Sequence, residues 1–500
     1  MNDNNKIAII GAGIAGMSAG IYAQMNGYQS IIFEKHNLPG GLCTSWKRKD
    51  YTFDGCVQWL TGSAPGTSLF GMWQELGAVQ GRMMVNHDEL FRIEGADGKN
   101  LILYTNMDRL ERHLKELAPE DSRLISHFIR AVRAIANFNP PLPKAPELRN
   151  VWDQLRAQIS MLSLMPSLKD YSKLSISDFA QKFKNPFLRQ AFPLMFFDMG
   201  DFPVTALLGT LAFMHTHRSG YPIGGSLQLA RAIEKRYRDL GGQIYYKSPV
   251  KNVLIEDHRA VGLELEDGSV HHVNRVISTA DGRWTIFDLL KGTYLNETIT
   301  DYYKNLPLYP PVVLVSFGIN RDLSQEPHAV YCHLDNPLDI ASKNEYWLGI
   351  RHYGFDPTLT KPGKSIVSVE ILTEYAYWKE LSRNRAQYDE EKKRIADRII
   401  AILEHRFPGI SDQIEVVDVA TPVTFERYTG TWQGSFMGWK TAAGVPRIQK
   451  TKTLPGLSNF YMAGMWVEPT GGLPSAAKSG RDVIQIICHE DKKKFITSIY

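Results

Sequence analysis

The sequence predicts an α/β fold built on a parallel sheet, and three observations carry that expectation. Lys6-Ile7-Ala8-Ile9-Ile10 is a short apolar run of the kind that forms a buried parallel strand. Gly11-Ala12-Gly13-Ile14-Ala15-Gly16 follows at once, and Met17 to Met25 reads as a packed helix ended by Gly27. Ser30-Ile31-Ile32-Phe33-Glu34 then reads as a second strand, with its acid about 20 residues after the glycines.

Each position has a physical role in holding a dinucleotide. Gly11 permits a tight turn, Gly13 lets the backbone approach a pyrophosphate, and Gly16 lets helix and strand pack closely. Ala12, Ile14 and Ala15 complete the turn into the helix, whose free N–H groups and positive dipole end face the phosphates. Glu34, followed by Lys35, can accept hydrogen bonds from ribose hydroxyls. An acid at position 34 argues against the 2′-phosphate of NADP here. No second complete fingerprint of this kind occurs in the sequence: Tyr221 to Ser226 is glycine-rich without the required spacing. A dedicated NAD(P) domain is therefore not expected, and any reductant such as NAD(P)H would act from outside.

Leu38-Pro39-Gly40-Gly41-Leu42-Cys43-Thr44-Ser45 comes next, and its paired glycines permit backbone geometry closed to other residues. Together with Tyr51-Thr52-Phe53-Asp54-Gly55, this tandem resembles the second signature of the amine oxidase and phytoene desaturase superfamily of FAD proteins. The resemblance continues through Tyr221-Pro222-Ile223-Gly224-Gly225-Ser226, a helix from Leu227 to Leu240, and Pro249-Val250. It implies that the Val250 backbone contacts the adenine. Leu457 to Gly464, with Met465, resembles the family's last FAD strand. Glu468-Pro469-Thr470-Gly471-Gly472-Leu473-Pro474-Ser475-Ala476-Ala477 resembles the opening of a helix, Ala477 to Cys488, whose N-terminus points at the flavin. Leu473, Pro474 and Ala477 are the contacts this implies, and a reduced anionic flavin would be stabilised there by the dipole.

The likeness is narrower still. Thr421-Pro422-Val423-Thr424-Phe425-Glu426-Arg427-Tyr428-Thr429-Gly430 and Gly434 through Trp439 are similar to the branch holding bacterial phytoene desaturases, carotenoid cis–trans isomerases and retinol saturase. One departure stands out: many superfamily members carry Arg after the paired glycines, where this chain has Leu42. The branch implies FAD-dependent chemistry on carbon–carbon bonds of a carotenoid, retinoid or other lipid, by desaturation, saturation or redox-assisted isomerisation. Two alternatives share the fold. One is a flavin amine oxidase, with Tyr428 and Trp432 as parts of an aromatic cage. The other is a non-catalytic lipid or prenyl carrier like the Rab GDP-dissociation inhibitors. No catalytic acid or base is assigned, because the flavin is the redox centre.

The implied architecture is a Rossmann-like FAD-binding domain of the glutathione-reductase type, assembled from roughly 1–70, 220–290 and 455–490. A helical insertion, 71–219, and a mixed α+β substrate domain, 291–454, interrupt it. Asn139-Pro140-Pro141-Leu142-Pro143 marks an extended break. The second insertion mixes strands, Val312 to Phe317 and Ile366 to Leu372, with a helix near Tyr388 to Phe407.

In the first insertion, Val151, Trp152, Leu155, Ile159 and Leu162 mark one helical face. Phe192, Met195, Phe196, Phe197, Met199 and Phe202 crowd together, followed by Leu207, Leu208, Leu211, Phe213 and Met214. Ordinary core is the plain reading of these residues, and an adaptable substrate tunnel dipping into one leaflet is the sharper one.

Composition restricts the remaining classes. A net charge of +4 over 500 residues offers no broad basic field for nucleic acid. Lys47-Arg48-Lys49 and Lys492-Lys493-Lys494 read as solvated faces, with anionic lipid as the lesser reading. The cysteines, Cys43, Cys56, Cys332 and Cys488, form no C-x-x-C pair and fit a reducing cytosol. The apolar N-terminal stretch lacks the basic flank of a signal peptide, and no run is long enough to span a bilayer. A cytoplasmic protein, peripheral at the membrane, is expected. His215 and His217 suggest metal only weakly, and no metal site is assigned.

Overall fold

The computed structural model describes residues 5–196, 198–443, 451–468 and 471–497. Phe197, Pro469 and Thr470 of the motifs above lie outside the described residues.

The Lys6–Ile10 strand occupies the centre of a nine-stranded sheet. It pairs in parallel with Gln29–Glu34 on one side and Arg275–Ser278 on the other. Gln243–Tyr246 and Leu457–Met462 extend the parallel core outward. Strands distant by more than 400 residues thus share one hydrophobic layer. That is why apolar runs as short as Lys6–Ile10 suffice, with four of its five residues fully buried.

The helix after the first strand starts at Ile14, earlier than the sequence suggests, and ends at Met25. It is apolar all round because a second helix, Gly472–Glu490, covers it. The approach is close enough that a Cβ on Gly480 would lie 2.3 Å from the Ala15 carbonyl oxygen. The Ser18 hydroxyl donates to the Ala477 carbonyl across the same contact at 2.6 Å. This last helix also begins earlier than expected, placing Leu473, Pro474 and Ala477 within its opening turns.

A second, seven-stranded sheet faces the first unit. Its order is Ile414–Ala420, Val312–Ile319, Ser365–Leu372, Lys343–His352, Ala329–Ile340, Glu89–Glu94 and Asn100–Tyr104. The last two strands come from the 71–219 insertion and pair with the rest through Val330↔Arg92. That insertion is therefore helical only in part: a hairpin at its start completes the substrate-side sheet. The long helix Arg385–Arg406 buries Ile395, Ile399 and Leu403 on this sheet's far side.

The Phe- and Met-rich stretch is packed core. Phe192, Met195, Met199, Phe202, Leu208 and Met214 join Phe128, Phe179 and Phe183 in one buried cluster. Phe183 and Phe192 rings approach to 4.5 Å, and side chains interlock through this cluster. The face on Val151–Leu162 has the opposite fate. A capping box at Asn150 and Asp153 starts this helix, but none of its residues is buried. Val151, Trp152, Ile159 and Leu162 remain 76%, 70%, 57% and 58% exposed. The expectation of core is not met here, because among the described residues no element buries this face. Among the described residues, no helix is long and apolar enough to cross a membrane.

Candidate functional site

The carboxyl ends of the parallel strands open into a cavity of about 580 Å³. This is where open α/β sheets bind ligands, since adjacent chain crossovers part there. Of the residues singled out from sequence, Gly11, Gly13, Glu34, Lys35, Gly41, Leu42 and Val250 line it. Ala12, Ile14, Ala15, Gly16 and Gly40 form the layer behind. The Gly40 amide donates to the Ala12 carbonyl at 2.8 Å, and Gly13 and Gly40 form an isolated parallel bridge. The two glycine loops therefore act as one cradle.

Two glycines in this cradle have different jobs. A Cβ on Gly16 would sit 2.0 Å from the Gly11 carbonyl oxygen, so close helix–strand packing excludes any side chain there. A Cβ on Gly13 would meet no protein atom within 4 Å. Gly13 is bare toward the cavity, as a residue pressed against a bound phosphate must be. It is also the N-cap of the first helix, with no side chain satisfying the helix's orphan N–H groups. The donor set and the open volume fit the diphosphate of a dinucleotide.

Glu34 holds the cradle together before any ligand arrives. Its Oε2 accepts from the Ala12 amide at 2.7 Å and its Oε1 from the His36 amide at 2.8 Å. A carboxylate has about four lone-pair sites, so acceptor capacity remains for hydroxyls on the cavity side. Lys35 lies beside it, its ammonium pKa lowered by burial, with Glu34, Asp281 and Glu426 opposing that shift.

Gly464, Met465, Leu473, Pro474 and Ala477 are not among the lining residues. The Gly464 amide donates to Ser479 Oγ at 2.7 Å, and Ala477 is pinned to Ser18. Leu473 packs instead against the core around the first helix and against the cluster of Tyr51, Phe53, Val57, Tyr221 and Tyr353.

Asp281 carries no signal in the linear sequence, and the motifs at Thr421–Gly430 and Lys47–Lys49 give no sign there that they meet at this cavity. Asp281 follows the carboxyl end of the Arg275–Ser278 strand, the position where parallel sheets present functional groups. Burial pushes its carboxyl up to about 6, although the Trp284 and Trp432 amides, at 2.9 and 2.8 Å, stabilise the anion. Thr424, Phe425, Tyr428 and Gly430 come from the substrate-side unit and cover the Glu34–His36 edge. Trp46 and Arg48 both bond Asp418, which turns part of the basic 47–49 cluster inward to the cavity wall. Tyr428 stands edge-on to His36, whereas Trp432 packs with Tyr303, Trp439 and Trp466. The proposed halves of an aromatic cage thus have different ring partners.

Asp54 ties the second glycine motif to the central one. Its carboxylate accepts from Ser45, Cys56, Val57 and Ser226, the last through both amide and hydroxyl at 2.6 Å. Burial still raises its pKa against these bonds. The arrangement projects Gln58 into a second, narrower cavity with His87, Ser219, His328, Arg351 and Tyr353. The His87 and His328 rings stack at 3.7 Å. Burial lowers His87 to about 4 and His328 well below the ordinary imidazole range, each assisted by nearby Arg351. His215 lies elsewhere, accepting from the Met107 amide at 3.4 Å.

Comparison with known proteins agrees with this geometry. A family model described as flavin containing amine oxidoreductase matches residues 14–487. A prolycopene isomerase from Daucus carota is 25% identical over 496 residues, covering 94% of this chain and 78% of that protein. A lycopene-forming phytoene desaturase from Pseudescherichia vulneris is 24% identical, covering 97% and 99% respectively. An all-trans-retinol 13,14-reductase from Danio rerio is 20% identical, covering 91% and 81%. These relatives are enzymes and match the branch indicated by the sequence motifs. Matched over nearly its whole length, and carrying a cradle that fits a flavin nucleotide, the chain belongs to the flavin containing amine oxidoreductase family and is an oxidoreductase.

Proposed function

We propose that this oxidoreductase binds FAD in the glycine-lined cavity and acts on carbon–carbon bonds of a long hydrophobic substrate, a carotenoid, retinoid or related lipid. The observation that carries the reading is the bare Gly13 cradle joined to Glu34, within a chain similar end to end to polyene-modifying enzymes. A bound flavin supplies a centre that accepts or returns a hydride. The chain's own work is to hold that centre and shield it. Gly13 and the first helix receive the diphosphate, Glu34 takes the ribose, and Val250 borders the adenine. Thr424 to Gly430 close the edge against water.

The substrate would be drawn from a membrane surface. The uncovered face of Val151–Leu162, with Met165 58% exposed beyond it, supports docking on one leaflet. Nearby Arg149, Arg156, Lys169 and Lys173 suit anionic headgroups. The 71–219 insertion is then the membrane-contacting unit, and the protein is cytoplasmic and peripheral, reduced when needed by an external donor such as NAD(P)H.

Anaerobic mixing tests the chemistry. Oxidised holoenzyme is mixed with phytoene and, separately, with amines; chemically reduced holoenzyme is mixed with lycopene isomers or retinol. Flavin bleaching by phytoene indicates desaturation, and flavin reoxidation by a polyene indicates saturation. A changed isomer profile at constant flavin absorbance indicates isomerisation. Bleaching by amines alone overturns the proposal.

A further inference from the structure

We infer that the narrow cavity between the seven-stranded sheet and the Ser219–Pro222 strand receives an oxygen-bearing end of the substrate, with Arg351 and Gln58 as the specificity-determining groups. The inference rests on the long hydrophobic substrate proposed above and deepens it. A site built for hydrocarbon alone has no use for polar groups at its end, because each would lose its water without replacement. This cavity has several. Ser219 is only 4% exposed, and its Oγ has no hydrogen-bond partner among the described residues; the same holds for the buried Gln58 Oε1. Gln58 Nε2 donates to Glu370 at 3.1 Å, which fixes the amide and leaves Oε1 as its open end.

Arg351 supplies the complementary function. It stands on the substrate-side sheet, opposite Ala329 on one neighbouring strand and Ser368 on the other. No carboxylate lies within 4.0 Å of it among the described residues. Tyr353 lies against it, and the buried Glu370 carboxylate that holds Gln58 acts on it electrostatically. His87 and His328, kept neutral, add no competing charge. Met214, Leu90 and Val85 continue the same cavity as an apolar wall. The ligand that satisfies this set is apolar along its length and ends in an oxygen function. An alcohol accepts from Arg351 and donates to Gln58 Oε1, whereas a carboxylate answers Arg351 alone.

Three chain-matched probes test the assignment by fluorescence titration of flavin-loaded protein: all-trans-retinol, all-trans-retinoic acid and the corresponding hydrocarbon, axerophtene. Retinol is expected to bind roughly tenfold or more tightly than the hydrocarbon, the range for a buried hydrogen bond to a charged group. Arg351→Met should erase that preference, Arg351→Lys should restore part of it, and Gln58→Leu should weaken retinol more than retinoic acid. Flavin absorbance and Tm verify that each variant is folded and loaded. Equal affinity for the three probes, or a preference unchanged in Arg351→Met, overturns the inference while leaving the hydrophobic-substrate reading intact. Failure of all three to bind overturns both.

Discussion

The glycine cradle and the narrow cavity beside the seven-stranded sheet are built on different principles. The cradle uses backbone: N–H groups, a helix end and missing side chains, nearly all from residues 11–41. Its ligand is recognised by what the chain leaves out. The other cavity uses side chains gathered from Gln58, His87, Ser219, His328 and Arg351, spread over nearly 300 positions. Its ligand is recognised by what the chain puts in. A backbone site tolerates little change at its bare positions, whereas a side-chain site can be retuned residue by residue.

The sharpest test of the comparison is a pair of glycine variants. Gly13→Val is expected to abolish FAD binding, read as loss of visible flavin absorbance, while far-UV circular dichroism is retained. Its Cβ meets no protein atom, so only the ligand is displaced. Gly16→Ala should act through the fold, because its Cβ would overlap the Gly11 carbonyl; a stability loss of about 1–3 kcal/mol is expected in denaturant titration. Full flavin occupancy in Gly13→Val would break the backbone account.

The side-chain cavity should announce itself through pH. His87 titrates near 4 when folded, against the ordinary 6.5, and His328 is shifted in the same direction. A depressed imidazole pKa means the unfolded chain binds more protons between those values. The stability it contributes is complete above pH 6.5 and is lost as pH falls toward 4. His87→Asn should therefore reduce the drop in Tm between pH 7 and pH 5, by about 1–2 °C. An undiminished drop would show that these rings are not the groups responsible.

The smallest effect on the fold belongs to the uncovered helix. Trp152→Ser, Ile159→Ser and Leu162→Ser should each change stability by no more than about 0.5 kcal/mol, as surface substitutions do. Together they should weaken sedimentation with anionic vesicles at least about tenfold. Vesicle binding unchanged in the triple variant would remove this face from the membrane reading.

The sequence by itself determined the first strand, the glycine turn, the first helix and the acid at Glu34, because these features are local. Strand period, turn chemistry and helix entry are encoded within about 30 consecutive residues. The paired glycines and the last helix were legible on the same terms, down to a shift of a few residues at their starts.

Only the tertiary structure decided the rest. Val151–Leu162 and the Phe192–Met214 stretch have similar apolar content, yet one stays exposed and the other fills a core. Burial depends on which elements arrive to cover a face, and periodicity alone does not name the partner. Asp281, Arg351 and Gln58 are ordinary polar residues in the linear chain. They acquire chemistry when distant strands set Asp281 in the wall of one cavity and Arg351 with Gln58 in the wall of the other, where a low dielectric makes each unpaired polar atom count.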